Sequence, residues 1–237
     1  MILFYTILLA HLIADFVQPA ALVKWTKRSV AGLLVHTGVY FILSLIVLFG
    51  YGPYWWFWLI VLGFSHFVLD RFKIWLNEKV SYLNLYVFVL DQILHVAVIA
   101  GVVALAGFAD FGLSPFLRLV SKYAAWLPII TAYIIATFGA SVLVFEAGRT
   151  LSASNSDRAN NIVISFKDRL LGMFERALAV TLLLTELYFL APLSFVFSIR
   201  ELVRRWGGKA GEKHVAELVT SALVAFVIGL LLRIYGY

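Results

Sequence analysis

The chain has 237 residues, 63% of them hydrophobic and 14% charged, with a mean hydropathy of +0.96 and a formal net charge of +6. Soluble domains carry about 25% charged residues, so this composition excludes a water-soluble globular protein and points to a membrane protein. The absence of cysteine excludes disulfides and thiolate ligands, which confines any metal site to imidazole, carboxylate and main-chain oxygen.

A spanning helix needs about 20 apolar residues. Segments of that kind run over 2–17, 30–50, 54–72, 84–107, 124–146, 177–199 and 215–235. The predicted fold class is therefore all-α, a polytopic membrane bundle of about seven transmembrane helices. The first segment has no basic leader, and His11 and Asp15 interrupt it, so it reads as a retained helix rather than a signal peptide. It stops before Gln18-Pro19, where proline discourages continuation. Gly50-Tyr51-Gly52-Pro53 reads as a tight turn, and Trp55, Trp56 and Trp58 follow as an interfacial aromatic belt. The chain reads as a His/Asp-rich module, 1–107, and a C-terminal module, 108–237, with Glu and Arg motifs; the longest polar stretch, 147–170, is a cytoplasmic loop within the second.

Lys24, Lys27 and Arg28 follow the first segment, Arg71, Lys73 and Lys79 the third, and Arg149, Arg158, Lys167 and Arg169 the fifth. The positive-inside rule then places the N-terminus outside and these loops in the cytoplasm. Arg200, Arg204, Arg205, Lys209 and Lys213 fall on the wrong side in this scheme. Either 177–199, which contains Pro192, is a re-entrant hairpin, or the rule fails there. Charge spread over loops in this way sets orientation and meets anionic lipid headgroups, and no nucleic-acid partner is expected.

The same orientation, set by Lys and Arg alone, puts His11, Asp15, His36, His66, Asp70, Asp91 and His95 at one depth near the cytoplasmic side. Three of the pairs, in "HLIAD", "SHFVLD" and "DQILH", are spaced i,i+4 and share a helical face. Ionisable groups inside a membrane are costly and usually face a partner, an ion or a water cavity. Imidazole with carboxylate suits a divalent transition metal, zinc or manganese first, as one ion or as two about 3.5–4 Å apart. The expected ligands are His66 and Asp70, with His95 or Asp91, and at least one of His11, Asp15 and His36. Asp15 or Asp91, if unligated, would serve as general base. A proton or ion relay and a purely structural polar core stay open as alternatives. His214 reads as a solvated loop residue.

These motifs carry a resemblance. "AHLIADFVQP", a following lysine, "LLVHTGVY", "SHFVLDRFK" and "LDQILHV" together resemble a bacterial inner-membrane family of unknown function, DUF3307, over residues 3–105. Weaker similarity follows at "GMFERAL" (172–178), "FVFSIREL" (195–202) and "AELVTSALVAF" (216–226), with Arg200 beside Ile199 where a lysine is expected. The resemblance implies a multi-pass protein of the bacterial inner membrane and brings no activity with it.

In the C-terminal module Glu146 ends the fifth segment, and Glu175 and Arg176 open the sixth, with Glu186 about three turns deeper on the same face. Arg176, with Glu175 and Glu146, forms a candidate substrate-binding group for an anion; a Glu/Arg pair closing a helix end is the plainer alternative. Three function classes follow. One is a metal-dependent membrane hydrolase acting on a phosphate-bearing or lipid-linked anionic small molecule. The second is a metal-ion or proton-coupled transporter. The third is a membrane scaffold held by a structural metal. Membrane lipids are the expected surroundings, and an oligomer is compatible with all three.

Overall fold

The computed structural model describes residues 1–80, 83–107, 113–152, 166–204 and 208–237. Every regular element in them is helical: α1 (Ile2–Phe16), α2 (Ala20–Arg28), α3 (Val30–Leu48), α4 (Trp55–Lys79), α5 (Asn84–Gly107), α6 (Pro115–Ser121), α7 (Trp126–Ile134), α8 (Ala140–Ser152), α9 (Phe166–Leu184), α10 (Val196–Arg204) and α11 (Gly208–Ile234). A π-helical turn, Ile135–Gly139, joins α7 to α8, and a 3₁₀ helix, Tyr188–Phe195, leads into α10. Among the described residues, four stretches are long and apolar enough to cross a membrane, Val30–Leu48, Asn84–Ala106, Trp126–Gly148 and His214–Ile234, and the bent pair Ile2–Phe16 and Ala21–Arg28 would make a fifth if it counts as one span, against the seven expected. The chain is thus a helical membrane protein. It divides into two compact units, Met1–Lys79 with Val87–Thr131, and Val80–Tyr86 with Ala132–Tyr237.

In the first unit, α1 ends at the Gln18-Pro19 step and the chain turns by 87° into α2. α2 is short, with Lys24, Lys27 and Arg28 exposed and Leu22 and Thr26 half-buried. Ser29 separates it from α3 and caps α3, its hydroxyl accepting from the Gly32 N–H at 3.0 Å. Gly32 is required here, because a Cβ would lie 2.5 Å from the carbonyl carbon and oxygen of Trp25. α3 packs against α1, α2 and α4. The turn before α4 uses Gly50 and Gly52 with φ of 75° and 69°, a left-handed backbone that other residues adopt at a cost. α6 is held by Ser114, which donates to the Val47 carbonyl and caps Leu117.

In the second unit, small residues let the helices approach: Ala132, Ala136, Ala179, Val180 and Ala225 share a core with Phe195 and Leu232. Arg176 meets Ser221, and Leu183 meets Gly229 further along, so α9 and α11 run parallel.

The sixth predicted segment, 177–199, is not one continuous helix. α9 starts at Phe166, eleven residues earlier, and stops at Leu184. The chain turns at Thr185–Leu187 and comes back through the 3₁₀ helix, where Pro192 sits, until Ser198 stands beside Glu175. It therefore forms a hairpin. Glu186 lies in its turn, exposed, rather than on the buried face of α9. Glu175 and Arg176 consequently sit in the third turn of α9 instead of opening it. His214 is helical and only partly exposed, on α11, with Nδ1 2.9 Å from Glu217 Oε2. Arg158 and the centre of the 147–170 stretch lie outside the described residues.

Gly32 and Gly38 give a matched pair for testing the elbow. A Cβ on Gly38 meets nothing within 4 Å. Gly32→Ala should destabilise by about 1–3 kcal/mol, because backbone and not a mobile side chain opposes it. Gly38→Ala should be neutral or slightly stabilising. Denaturant titration in detergent micelles measures both.

Candidate metal centre

Each element delivers its polar pair at the same end of the first unit. α1 brings His11 and Asp15 in its last turns, α3 brings His36 in its second, α5 brings Asp91 and His95 in its early turns, and α4 brings His66 and Asp70. The i,i+4 spacing turns both members of each pair to one side, and all seven side chains meet. His11 and His66 are 0% and 1% exposed. The His11 ring stacks on His95 at 4.7 Å, His36 stacks on His66 at 5.2 Å, and His66 meets His95 edge-on at 4.7 Å.

The tightest set is His36, His66, Asp15 and Asp70. Asp15 Oδ1 is 3.6 Å from His36 Nε2 and 3.5 Å from His66 Nε2. Asp70 Oδ2 is 2.9 Å and 3.4 Å from the same two nitrogens. Ligand atoms about 2.0–2.2 Å from a tetrahedral ion stand roughly 3.4 Å from one another, so most of these separations suit one ion. Three overlapping groups have ligand atoms within 4.8 Å of one another: Asp15, His36 and His66; His11, His66 and His95; and Asp70, Asp91 and His95. His66 and Asp70 are thus completed first by α1 and α3, with the α5 pair beside them.

Several of these atoms are buried without a hydrogen-bond partner: His11 Nδ1, Asp15 Oδ1, both nitrogens of His66, Asp91 Oδ1 and His95 Nε2. Buried polar atoms are rarely left so, and a cluster of bare acceptors is the arrangement a cation satisfies. Neighbours orient the rings. His95 Nδ1 lies 2.9 Å from the Asp91 carbonyl, and a proton donated there leaves Nε2 as ligand. His36 Nδ1 lies 3.0 Å from Gln18 Oε1, which in the same way leaves its Nε2 facing the carboxylates.

Four residues outside the predicted set belong to the site. Gln18 orients His36. Gln92 donates to Asp15 and Asp91 at 3.2 and 2.9 Å, and its Oε1 lies 3.4 Å from His11 Nε2. Tyr40 lies over His66 with ring centroids 4.4 Å apart. Lys73 donates to Asp91 Oδ2 at 2.7 Å. The sequence held a signal for three of them: Gln92 interrupts an apolar run, Tyr40 follows His36 by four, and Lys73 follows Asp70 by three. An apolar crevice between α4 and α5, about 10 Å³ or room for one water, reaches Lys73 and Asp91.

The candidate substrate group lies in the second unit. Glu146 is buried on α8. Glu175 accepts from the Ser198 N–H at 2.8 Å and from the Ser198 hydroxyl. Arg176 donates to the Ala136 and Thr137 carbonyls of the π turn at 2.6 and 3.1 Å, and to Ser221 and Ser141 at 2.9 and 2.6 Å. Four of its five N–H groups are thereby used. Arg176 also lines a polar cavity of about 200 Å³ with Ser141, Ser198, Glu201, His214 and Ser221. Arg176→Ala would strand the π-turn carbonyls in a buried setting. It should cost about 3 kcal/mol or more of stability, whereas Arg169→Ala, on the first turn of α9, should cost under about 1 kcal/mol. Thermal or denaturant unfolding distinguishes them.

Residues 3–115 match the model of a family described as a protein of unknown function, DUF3307. Neither a curated protein nor a solved structure matches the chain.

Proposed function

We propose, for a chain whose N-terminal part belongs to that family, a metal-dependent hydrolase of the bacterial inner membrane with its site near the cytoplasmic side. The observation that carries the reading is the convergence of bare imidazole nitrogens and carboxylate oxygens from four helices. Two nitrogens and two oxygens at near-tetrahedral spacing favour zinc, with manganese next. His36, His66 and Asp70 hold the ion and leave its fourth position, beside Asp15, to water, with His11, His95 and Asp91 around them as further ligands or orienting groups. Such an ion lowers the pKa of water toward neutrality. Asp15, which faces three histidines, is the preferred base, and Asp91, already engaged by Lys73 and Gln92, is the second choice. A phosphate-bearing or lipid-linked substrate fits the basic ends of these helices.

Orientation supports a cytoplasmic site. Within the second unit the hairpin returns Arg200 toward the level at which α9 begins with Lys167 and Arg169. The positive-inside rule then needs no exception at Arg200, with the N-terminus outside and more than four crossings. A scaffold with a structural metal is the second reading, favoured by the near-complete burial of His11 and His66. Chelator access separates the two. A hydrolase site must exchange its ion and lose activity with it, while a structural ion should leave only on unfolding.

Elemental analysis of the purified protein tests the metal itself. The wild type should carry a divalent transition ion, and His66→Ala/His95→Ala should lose it while His214→Ala keeps it. Full metal content in the double variant would refute the site. Imidazole binds metal only when neutral, so acidification should displace the ion as the histidines take up protons. Zinc retention measured across pH 8 to 5 reads this directly.

A further inference from the structure

We propose that the cluster takes a single divalent ion and that the Lys73 ammonium stands where a second would sit. The inference rests on the metal reading above and deepens it. A second ion would need the Asp70, Asp91 and His95 group, because the other two groups share His66. In that third group Asp91 Oδ2 is already met by Lys73 Nζ at 2.7 Å and by Gln92 Nε2 at 2.9 Å. An ammonium at that distance supplies at Asp91 the charge that a second cation would bring.

Charge balance points the same way. Asp15, Asp70 and Asp91 bring three negative charges into an apolar bundle, and Lys73 brings one positive charge to them. Two negative charges remain, which one divalent ion cancels. Two ions would leave an excess of positive charge, and uncompensated charge of either sign is disfavoured in a membrane interior. Lys73 is built for this place. Its side chain is 25% exposed, its stem runs beside Leu69, Phe72 and Leu76 in the α4/α5 crevice, and its ammonium lies 5.5 Å from the Phe88 ring centroid. A lysine can lay an apolar stem along such a surface and still present its head to a carboxylate. Its role is to position and neutralise Asp91, and so to set how many ions the site accepts.

The test is a charge cycle on the full chain in detergent, with zinc as probe. It uses metal-to-chain stoichiometry at saturation and competition against a chromogenic chelator. Wild type should bind one ion. Lys73→Met leaves three carboxylates and should take up a second ion at saturating zinc, while Lys73→Arg should stay at one. Asp91→Asn keeps the lysine and drops one negative charge, and should weaken the first ion by about tenfold or more. Lys73→Met/Asp91→Asn restores the balance and should return to one ion with affinity within about threefold of wild type. If Lys73→Met does not fold, the double variant and Lys73→Arg still decide the matter. Two ions in the wild type, or a double variant as weak as Asp91→Asn, would overturn the role of Lys73 and leave the metal site standing. No zinc in the wild type would overturn the metal reading, and this inference with it.

Discussion

Carboxylates buried among apolar helices need positive charge close by, and the first unit is organised around meeting that need. Asp15, Asp70 and Asp91 come from three helices, and each is within 3.7 Å of an imidazole nitrogen or an ammonium. No single helix could provide this, because an i,i+4 partner reaches only one side of a carboxylate. The packing of α1, α3, α4 and α5 is thus coupled to the polar cluster, and shifting one helix would expose charge on the other three. The elbow at Pro19 fits the same demand. It ends α1 directly after Asp15, and the Gln18 side chain just before it reaches His36.

The second unit answers a different problem in the same way. A π turn widens the helix between α7 and α8 and frees main-chain carbonyls at a buried position. Arg176 supplies the donors that the helix no longer provides. Its planar fork reaches two carbonyls and two hydroxyls at once, which a lysine could not copy. Glu175, next to it, is satisfied by Ser198 of α10, on the returning arm of the hairpin. The two charges thus have different partners although they adjoin in sequence.

Much of this was legible in the sequence where periodicity decides the outcome. The helical class followed from composition, and the spacing in "HLIAD", "SHFVLD" and "DQILH" followed from the helical repeat. Lys73 and Gln92 were less legible as members of the cluster, because their inclusion depends on how each helix is rotated about its axis. A lysine near a helix end reads equally well as a topology signal. The hairpin was half visible: Pro192 marked irregularity in 177–199, but nothing local fixed the turn at Thr185–Leu187. Glu186 was placed by helical periodicity on the face of Glu175, and the periodicity failed because the helix had already ended at Leu184. His214 read as loop because Lys209, Gly211 and Lys213 precede it, yet α11 runs through them from Gly208.

The hairpin also bears on how the chain is made. Arg176 takes its carbonyls from a helix synthesised before it, but its Ser221 partner and the Ser198 donor to Glu175 emerge later from the ribosome. Until those segments are made, part of the polar load of α9 lacks the partners it has in the fold. Formation of this half thus depends on segments made at different times, and α9 has its full set of partners only once α11 has followed it.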